Sequence, residues 1–537
     1  MNLPEISHYL RQWKADRQLN YQIDRVDEYL RELNEHKDKH SAPVLFFNAS
    51  TRIHRLSLNG AFSLLSSWAL QAAGIPVRHL VCQQGMQQCV LGTRQGQLSS
   101  PPPCNRCIRL SKRLFPQELT IPLNFQQKPV DNVASMLQAL SIPEMAAWDY
   151  QNIPLGELCL PGLRWALRSH RIPDTQAIRK LFQQYILSAY SLYTSFDEVL
   201  DWQKPRALVV FNGIFYPEAI ARHVAQHKGI PVITHEVGLS PYSTFFSQGD
   251  ATFRQVNPET HGPLTSAENK RLDQYLSERF QGDFTMAGIQ FWPNIVDLPN
   301  WLLERMKKFQ QNVIVFTNVV FDTSQIHANT LFPDMFAWLE MLKPIIQTRP
   351  ETLFIIRAHP DEERPGKRSR ESVKDWITKQ GLLEFENVTF FEPTDPVSSY
   401  ELINHSKLVL IYNSSIGLEA SILGVPVLSA GRARFTQIPT VFFPESRMKY
   451  EESLSDFLDA QEIGVPPSFR ENARSFLYHE LFTASLDLSE FLEPDESLQG
   501  MVTFSRFSTD RLRDSNSLET IRNGILHDTP FLLNLDV

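Results

Sequence analysis

Apolar residues recur along this chain in two rhythms. From Leu3 to Leu33 they return at helical spacing (Leu3, Ile6, Tyr9, Leu10, Trp13, then Ile23, Val26, Tyr29, Leu30 and Leu33), which predicts an amphipathic helix over residues 3–37. Such a stripe docks on its own domain or on a second subunit, and the spacing serves either. Beyond residue 40 the rhythm changes to short, unbroken apolar runs set between helical periods. Val44-Leu45-Phe46-Phe47 predicts a strand, residues 58–73 a helix closed by Gly74, and residues 77–82 the next strand. The same order returns at 207–211, 217–228 and Gly229-Ile230-Pro231-Val232-Ile233-Thr234, and again at 408–412, 416–423 and Gly424-Val425-Pro426-Val427-Leu428. Unbroken runs mark strands buried on both faces, so the pattern predicts parallel sheets covered by helices.

Two such series are present. The first runs from residue 41 to Trp292-Pro293-Asn294, which with Pro299 reads as a linker, and includes a helical stretch at 130–200 without a readable motif. The second starts at Val313-Ile314-Val315-Phe316. It alternates helices at 332–347, 372–380 and 398–404 with strands at 353–357, 388–391 and 408–412. The expectation is an α/β chain of two Rossmann-like domains facing a cleft, at 41–295 and 296–470. A helical appendage at 1–40 and a mainly helical tail at 471–537 complete it. A length of 537 residues exceeds what one hydrophobic core normally supports, in keeping with that division.

Composition narrows the partners. A formal charge of −8 argues against general nucleic-acid binding, which needs a basic footprint. No apolar run reaches the roughly 18 residues of a membrane span, and residues 1–40 lack the apolar core of a signal peptide. A cytoplasmic protein is expected, with peripheral contact at the inner membrane face and oligomerisation through the first helix both left open. Four of the five cysteines, Cys82, Cys89, Cys104 and Cys107, crowd one stretch behind Pro101-Pro102-Pro103. In a cytosolic chain such crowding reads as metal binding before disulfides. The Cys104/Cys107 spacing lets two thiolates grip one tetrahedral ion, and Cys82 and Cys89 complete a closed set suited to structural zinc. An iron–sulfur cluster uses the same ligands, and unliganded thiols are the plain alternative.

Candidate chemistry gathers at the carboxyl ends of the strands, where open α/β sheets bind ligands. His359-Pro360 ends one strand, with Arg357 two residues back; an imidazole there donates to a phosphate or is simply a loop histidine. Asn413-Ser414-Ser415-Ile416-Gly417 opens a helix, where amides and hydroxyls suit phosphate oxygens and Gly417 admits the ligand; the alternative is an ordinary serine cap. Thr317-Asn318 with Asp322 ends a third strand, and Gly431-Arg432-Ala433-Arg434 offers cations. In the first domain, Glu236 within Thr234-His235-Glu236-Val237-Gly238 is placed as general base for an acceptor hydroxyl, with His235 to orient it or contact the substrate; a surface loop with a stray acid is the plain alternative. Phe211-Asn212-Gly213 lines the same edge. The chain has no Asp-x-Asp triplet, and no catalytic metal is expected.

Arg357-Ala358-His359-Pro360, Tyr412-Asn413-Ser414-Ser415-Ile416-Gly417-Leu418-Glu419-Ala420, Gly424-Val425-Pro426-Val427 and Ala430-Gly431-Arg432 together resemble the carboxy-terminal half of bacterial capsule polysaccharide biosynthesis proteins. These are GT-B glycosyltransferases, similar in motif style to sialyltransferases and Kdo transferases. The resemblance spans about 310–445 and, more weakly, 205–250. It implies that His359, Pro360, Ser414 and Ser415 bind the nucleotide phosphate; Asn318 and Asp322 resemble the Thr-Asn-Val-x-x-Asp stretch of related proteins, placed to meet the substrate diphosphate or sugar. It also implies that Glu236-Val237-Gly238 supplies the base, although valine stands where the family has a second acid. The implied activity moves a sugar from a CMP- or UDP-linked donor to a hydroxyl of a glycan or lipid-linked acceptor. Rival expectations are a CDP-glycerol-type polyol-phosphate transferase, a sugar-nucleotide epimerase and a non-catalytic GT-B-like scaffold.

Overall fold

A computed structural model describes residues 3–34, 41–49, 55–126, 130–257, 262–280, 285–286, 289–290, 297–364 and 368–534. The end of the expected first helix (35–37) and most of the expected linker (292–296) lie outside these residues. Twelve strands build two sheets. The first sheet takes β1 (Val44–Asn48), β2 (Val77–Cys82), β3 (Thr120–Leu123), β4 (Ala207–Phe211), β5 (Val232–Val237) and β6 (Ser243–Gln248). The second takes β7 (Gln311–Phe316), β8 (Thr352–Arg357), β9 (Val388–Phe391), β10 (Leu408–Ile411) and β11 (Val427–Ser429). β12 (Leu486–Asp487) returns to the first.

The unbroken apolar runs are explained by burial on both faces. In the second sheet Val313, Val315, Phe354, Ile356, Leu408 and Leu410 enter one core, while Ile314, Phe316, Leu353, Ile355, Val409 and Ile411 enter the other. The first sheet divides likewise: Leu45, Phe47, Leu208 and Val210 face one helical layer, and Val44, Phe46, Ala207 and Val209 the opposite one. Strand order is β12-β6-β5-β4-β1-β2-β3 in the first sheet and β9-β8-β7-β10-β11 in the second. All pairings are parallel except those of β6 with β5 and with β12. In each sheet the winding reverses at one point, between β1 and β4 and between β7 and β10, and there the loops part to leave a crevice.

Three features depart from the sequence expectation. The helix Ser266–Phe280 buries Leu272 and Leu276 in the core of the second sheet, so packing assigns it to the second domain, ahead of the expected boundary at 296. The tail carries short strands at Leu486–Asp487, Leu492–Pro494 and Val502–Phe504 besides its helices, and runs of two or three residues are too short for a readable period. Its helix Pro467–His479 packs on Ile416–Ile422 of the second domain, after which Asn516–His527 covers Leu58–Ala72 of the first. The first helix, Leu3–Asn34, buries Ile23, Val26 and Leu30 but leaves Tyr9, Leu10 and Trp13 exposed. Among the described residues no helix is long and apolar enough to cross a membrane.

Polar contacts close the seam between the domains. The backbone amides of His170 and Arg171 donate to Glu371 Oε2 at 2.6 and 3.0 Å, and Arg171 also pairs with Asp334 at 3.3 Å. Across the opposite side, buried Glu480 takes Arg254 of the first domain and Arg434 of the second.

Candidate functional site

The second crevice is polar. β7 lies between β8 and β10, so the loops after these strands sit side by side, spread over two strand spacings or about 10 Å. Contacts tie them together: the Thr317 amide donates to the Arg357 carbonyl at 3.2 Å, and the Asn413 amide to Asn318 Oδ1 at 3.4 Å. Gln325, which sequence reasoning passed over, is buried and donates its amide to Asn413 Oδ1 at 3.2 Å. Its only signal was a polar stretch continuing past Asp322. His359 opens the turn Pro360–Glu362, and its Nδ1 accepts the Asp361 amide at 3.1 Å. That bond puts the proton of the neutral ring on Nε2, making that edge of the imidazole a donor.

The Ser-Ser loop differs from an ordinary cap. Ser415 is exposed and makes no side-chain cap bond to the helix Ile416–Ile422, while Ser414 is buried. With capping unmade, hydroxyl and amide donors are left at the mouth of the crevice. The helix has only seven residues, which limits the help its dipole gives.

Three of the singled-out features carry structural contacts. Arg357 is buried at the end of β8 and donates Nη2 to the Asp395 carbonyl at 2.9 Å, which braces the neighbouring loop. Burial lowers its pKa to about 10. Gly417 has a packing role, since a Cβ there would lie 2.4 Å from Ile411 Cδ1. Arg432 lies over the Phe253 ring at 4.5 Å and Arg434 pairs with Glu480 at 3.0 Å, so both cations serve the domain seam. At the end of the His-Pro turn, buried Glu362 accepts the Val373 amide at 3.2 Å, and burial pushes its carboxyl up to about 8.

The first crevice is mostly apolar. A cavity of about 330 Å³ opens at the carboxyl ends of its strands, walled by Met86, Val90, Trp165, Phe211, Phe215 and Tyr216. Glu236 faces it, and Asp322 and Thr323 close it from the second domain. Glu236 sits within β5, opposite Phe245 of β6, where a loop position was expected. Its Oε2 accepts Asn212 Nδ2 at 3.2 Å and its Oε1 the Val237 amide at 2.9 Å. Asn212 is itself fixed: it holds φ at 34° and accepts the Ile214 amide on Oδ1 at 3.0 Å. His235 does not orient Glu236, because strand alternation turns it to the other face of the sheet. There it stacks on Phe246 at 5.3 Å, and burial lowers its pKa to about 3.

Cys82, Cys89, Cys104 and Cys107 all line this same cavity. Burial, reinforced by the proximity of the other thiols, pushes Cys89 and Cys107 up to about 12. Among the described residues no group of three or more His, Cys, Asp or Glu is gathered tightly enough to hold a metal ion. The four thiols thus share a cavity wall without standing in a ligand shell.

Two Rossmann-like domains whose strand ends meet at one seam form a GT-B-type architecture. Residues 302–438, about a quarter of the chain, match the family model described as "Capsule polysaccharide biosynthesis protein", which upholds the resemblance over the second domain. Among curated proteins none matches. Solved structures with similarity include the beta Kdo 2,4 transferase KpsC of Thermosulfurimonas dismutans, at 11% identity and a TM-score of 0.33, covering 57% of this chain and 87% of that one. A putative UDP-N-acetylglucosamine 2-epimerase from Listeria monocytogenes aligns at 10% identity and a TM-score of 0.27, covering 91% and 97%. The UDP-GlcNAc 2-epimerase of Neisseria meningitidis aligns at 13% identity and a TM-score of 0.22, covering 82% and 98%. At these values the likeness carries nothing about substrate.

Proposed function

We propose that this chain is a glycosyltransferase of capsule-type surface polysaccharide synthesis, taking its sugar from a nucleotide-sugar donor. One observation carries the reading. Asn318 and Asn413 are hydrogen-bonded at the switch point of the domain that matches the capsule family, with Ser414 and Ser415 next in the chain and His359 at the end of the neighbouring strand β8. Amide, hydroxyl and imidazole donors there suit the phosphates of a nucleotide and stabilise them as the leaving group gains charge.

The acceptor would occupy the first crevice. Glu236, held by Asn212 and the Val237 amide, takes the proton of the acceptor hydroxyl as its oxygen bonds to the sugar and the sugar–phosphate bond breaks. The apolar wall around Glu236 suits an acceptor with an apolar body beside its hydroxyl, and it keeps water from the donor.

The test is product analysis with a panel of CMP- and UDP-linked sugars, offered with and without glycan and lipid-linked acceptors. Acceptor-dependent release of the nucleotide with the sugar on the acceptor is the expected result. Release of CMP with a transferred phosphate would identify a polyol-phosphate transferase instead. Conversion of the donor without an acceptor would identify an epimerase.

A further inference from the structure

A second hollow adjoins the first cavity. A groove of about 650 Å³ lies at the start of the helix Cys104–Leu114. It shares Gln84, Met86, Pro102, Pro103 and Cys104 with the cavity, so the two hollows meet along those side chains. Their chemistry differs. The groove has no carboxylate in its lining, whereas Arg106 and Arg109 bring cations to it and Gln84 and Gln87 bring amides. Three residues apart on the helix, the two arginines share a face, where like charges repel. Both are exposed, and among the described residues neither pairs with a carboxylate.

The rest of the helix strengthens the contrast. Its other cations are Lys112 and Arg113, and Arg113 turns away to Asp24 of the first helix at 3.1 Å. The helix carries no acid at all, in a chain of net charge −8, and so concentrates positive potential beside the groove. Pro101, Pro102 and Pro103 stiffen that part of the lining, because each ring locks its φ. The thiols belong to the apolar side of the arrangement. Burial pushes Cys89 and Cys107 up to about 12, so they stay protonated and add small apolar groups to the cavity wall.

We infer that the acceptor is an amphiphile bearing a phosphate group, with its apolar body in the first cavity and its phosphate in the groove against Arg106 and Arg109. The inference rests on the acceptor reading of that cavity and names the class of compound it takes. A guanidinium pairs with phosphate oxygens through parallel N–H···O bonds. A phosphate monoester carries about −1.5 to −2 charges at pH 7, which two arginines match, whereas a carboxylate leaves one cation unmatched. Filling the groove with that charge also relieves the repulsion between the two arginines.

The test is calorimetry without donor on the full native chain, Arg106→Gln/Arg109→Gln and His359→Ala. The probes are octyl phosphate, octyl glucoside, octanoate and inorganic phosphate, all kept below micelle-forming concentrations. Octyl phosphate is expected to bind the native chain about tenfold more tightly than any of the other three. The double variant should lose that preference while its affinity for octyl glucoside stays, and His359→Ala should keep it, which separates the groove from the second crevice. Should the double variant fail to fold, the native chain in rising salt decides: octyl phosphate should weaken and octyl glucoside should not. Equal affinities of octyl phosphate and octyl glucoside would overturn the inference, as would octanoate or inorganic phosphate matching octyl phosphate. So would a preference kept in the folded double variant or lost in His359→Ala. Failure of the transferase reading looks different: no donor gives product, although the preference and its loss in the double variant remain.

Discussion

The two crevices of this protein share a topology and differ in chemistry. Each opens where a parallel sheet reverses its winding, between β1 and β4 or between β7 and β10. The second is lined by short polar side chains and backbone amides, with Asn318, Asn413 and Gln325 bonded to one another. The first is a cavity walled largely by aromatic and aliphatic groups, with the braced carboxylate of Glu236, the carboxylates of Glu218 and Asp322 and four thiols also in its lining. A crevice of amide, hydroxyl and imidazole groups suits charged phosphates, whereas a largely apolar one with the braced Glu236 suits a neutral hydroxyl compound. The same fold thus carries two crevices of different chemistry by what is placed on its loops.

Substitutions sharpen that contrast in decreasing order of effect. Glu236→Gln keeps the bond to Asn212 but removes the base. Transfer is expected to fall by about 10²–10⁴, with nucleotide binding unchanged when both are measured on the same preparation. Equal loss of binding and transfer would merge the two crevices into one site. His359→Ala removes a donor to a charged phosphate, an effect of about 1.5–3 kcal/mol. Nucleotide affinity measured by calorimetry should drop by roughly ten- to a hundredfold, while the first crevice is untouched.

Gly417→Ala tests the packing role assigned to that glycine. Overpacking against Ile411 should lower stability by about 1–3 kcal/mol in thermal unfolding. An unchanged melting temperature with lost nucleotide binding would restore a direct ligand role. The smallest effect concerns Glu362 at the end of the His-Pro turn, whose folded pKa of about 8 lies above the ordinary 4.5. Between those values the folded chain keeps a proton that the unfolded chain has released. Stability therefore falls as pH rises through this window and levels off above it. Glu362→Gln should flatten that slope in melting curves taken across the window, and a parallel slope in both proteins would place its cause elsewhere.

Much of this was readable in the sequence, for reasons that also explain the misses. Strands such as Leu408–Ile411 are buried on both faces and leave an unbroken apolar run, so the doubly wound layers show in the pattern. The polar loops show because they interrupt such runs at Asn318, His359 and Asn413. Side-chain direction is harder. Arg357 looked available beside His359, but its position on a fully buried strand sends it to Asp395. His235 and Glu236 are neighbours in sequence, yet a strand that runs three residues further than expected puts them on opposite faces. Gln325 has no motif, and only folding brings it to Asn413. The convergence of Cys82 and Cys89 with Cys104 and Cys107 on the first cavity likewise depends on how the 83–103 loop folds back.

The central claim is that the nucleotide belongs to the second crevice and the acceptor to the first. Thermal stabilisation by CMP, CDP, UDP, GDP and their sugar conjugates, measured on the native chain, His359→Ala and Glu236→Gln, addresses it most directly. The account predicts that one nucleotide class raises the melting temperature of the native chain and of Glu236→Gln and has little effect on His359→Ala. No rise with any nucleotide, or a rise that survives His359→Ala and disappears in Glu236→Gln, would contradict it.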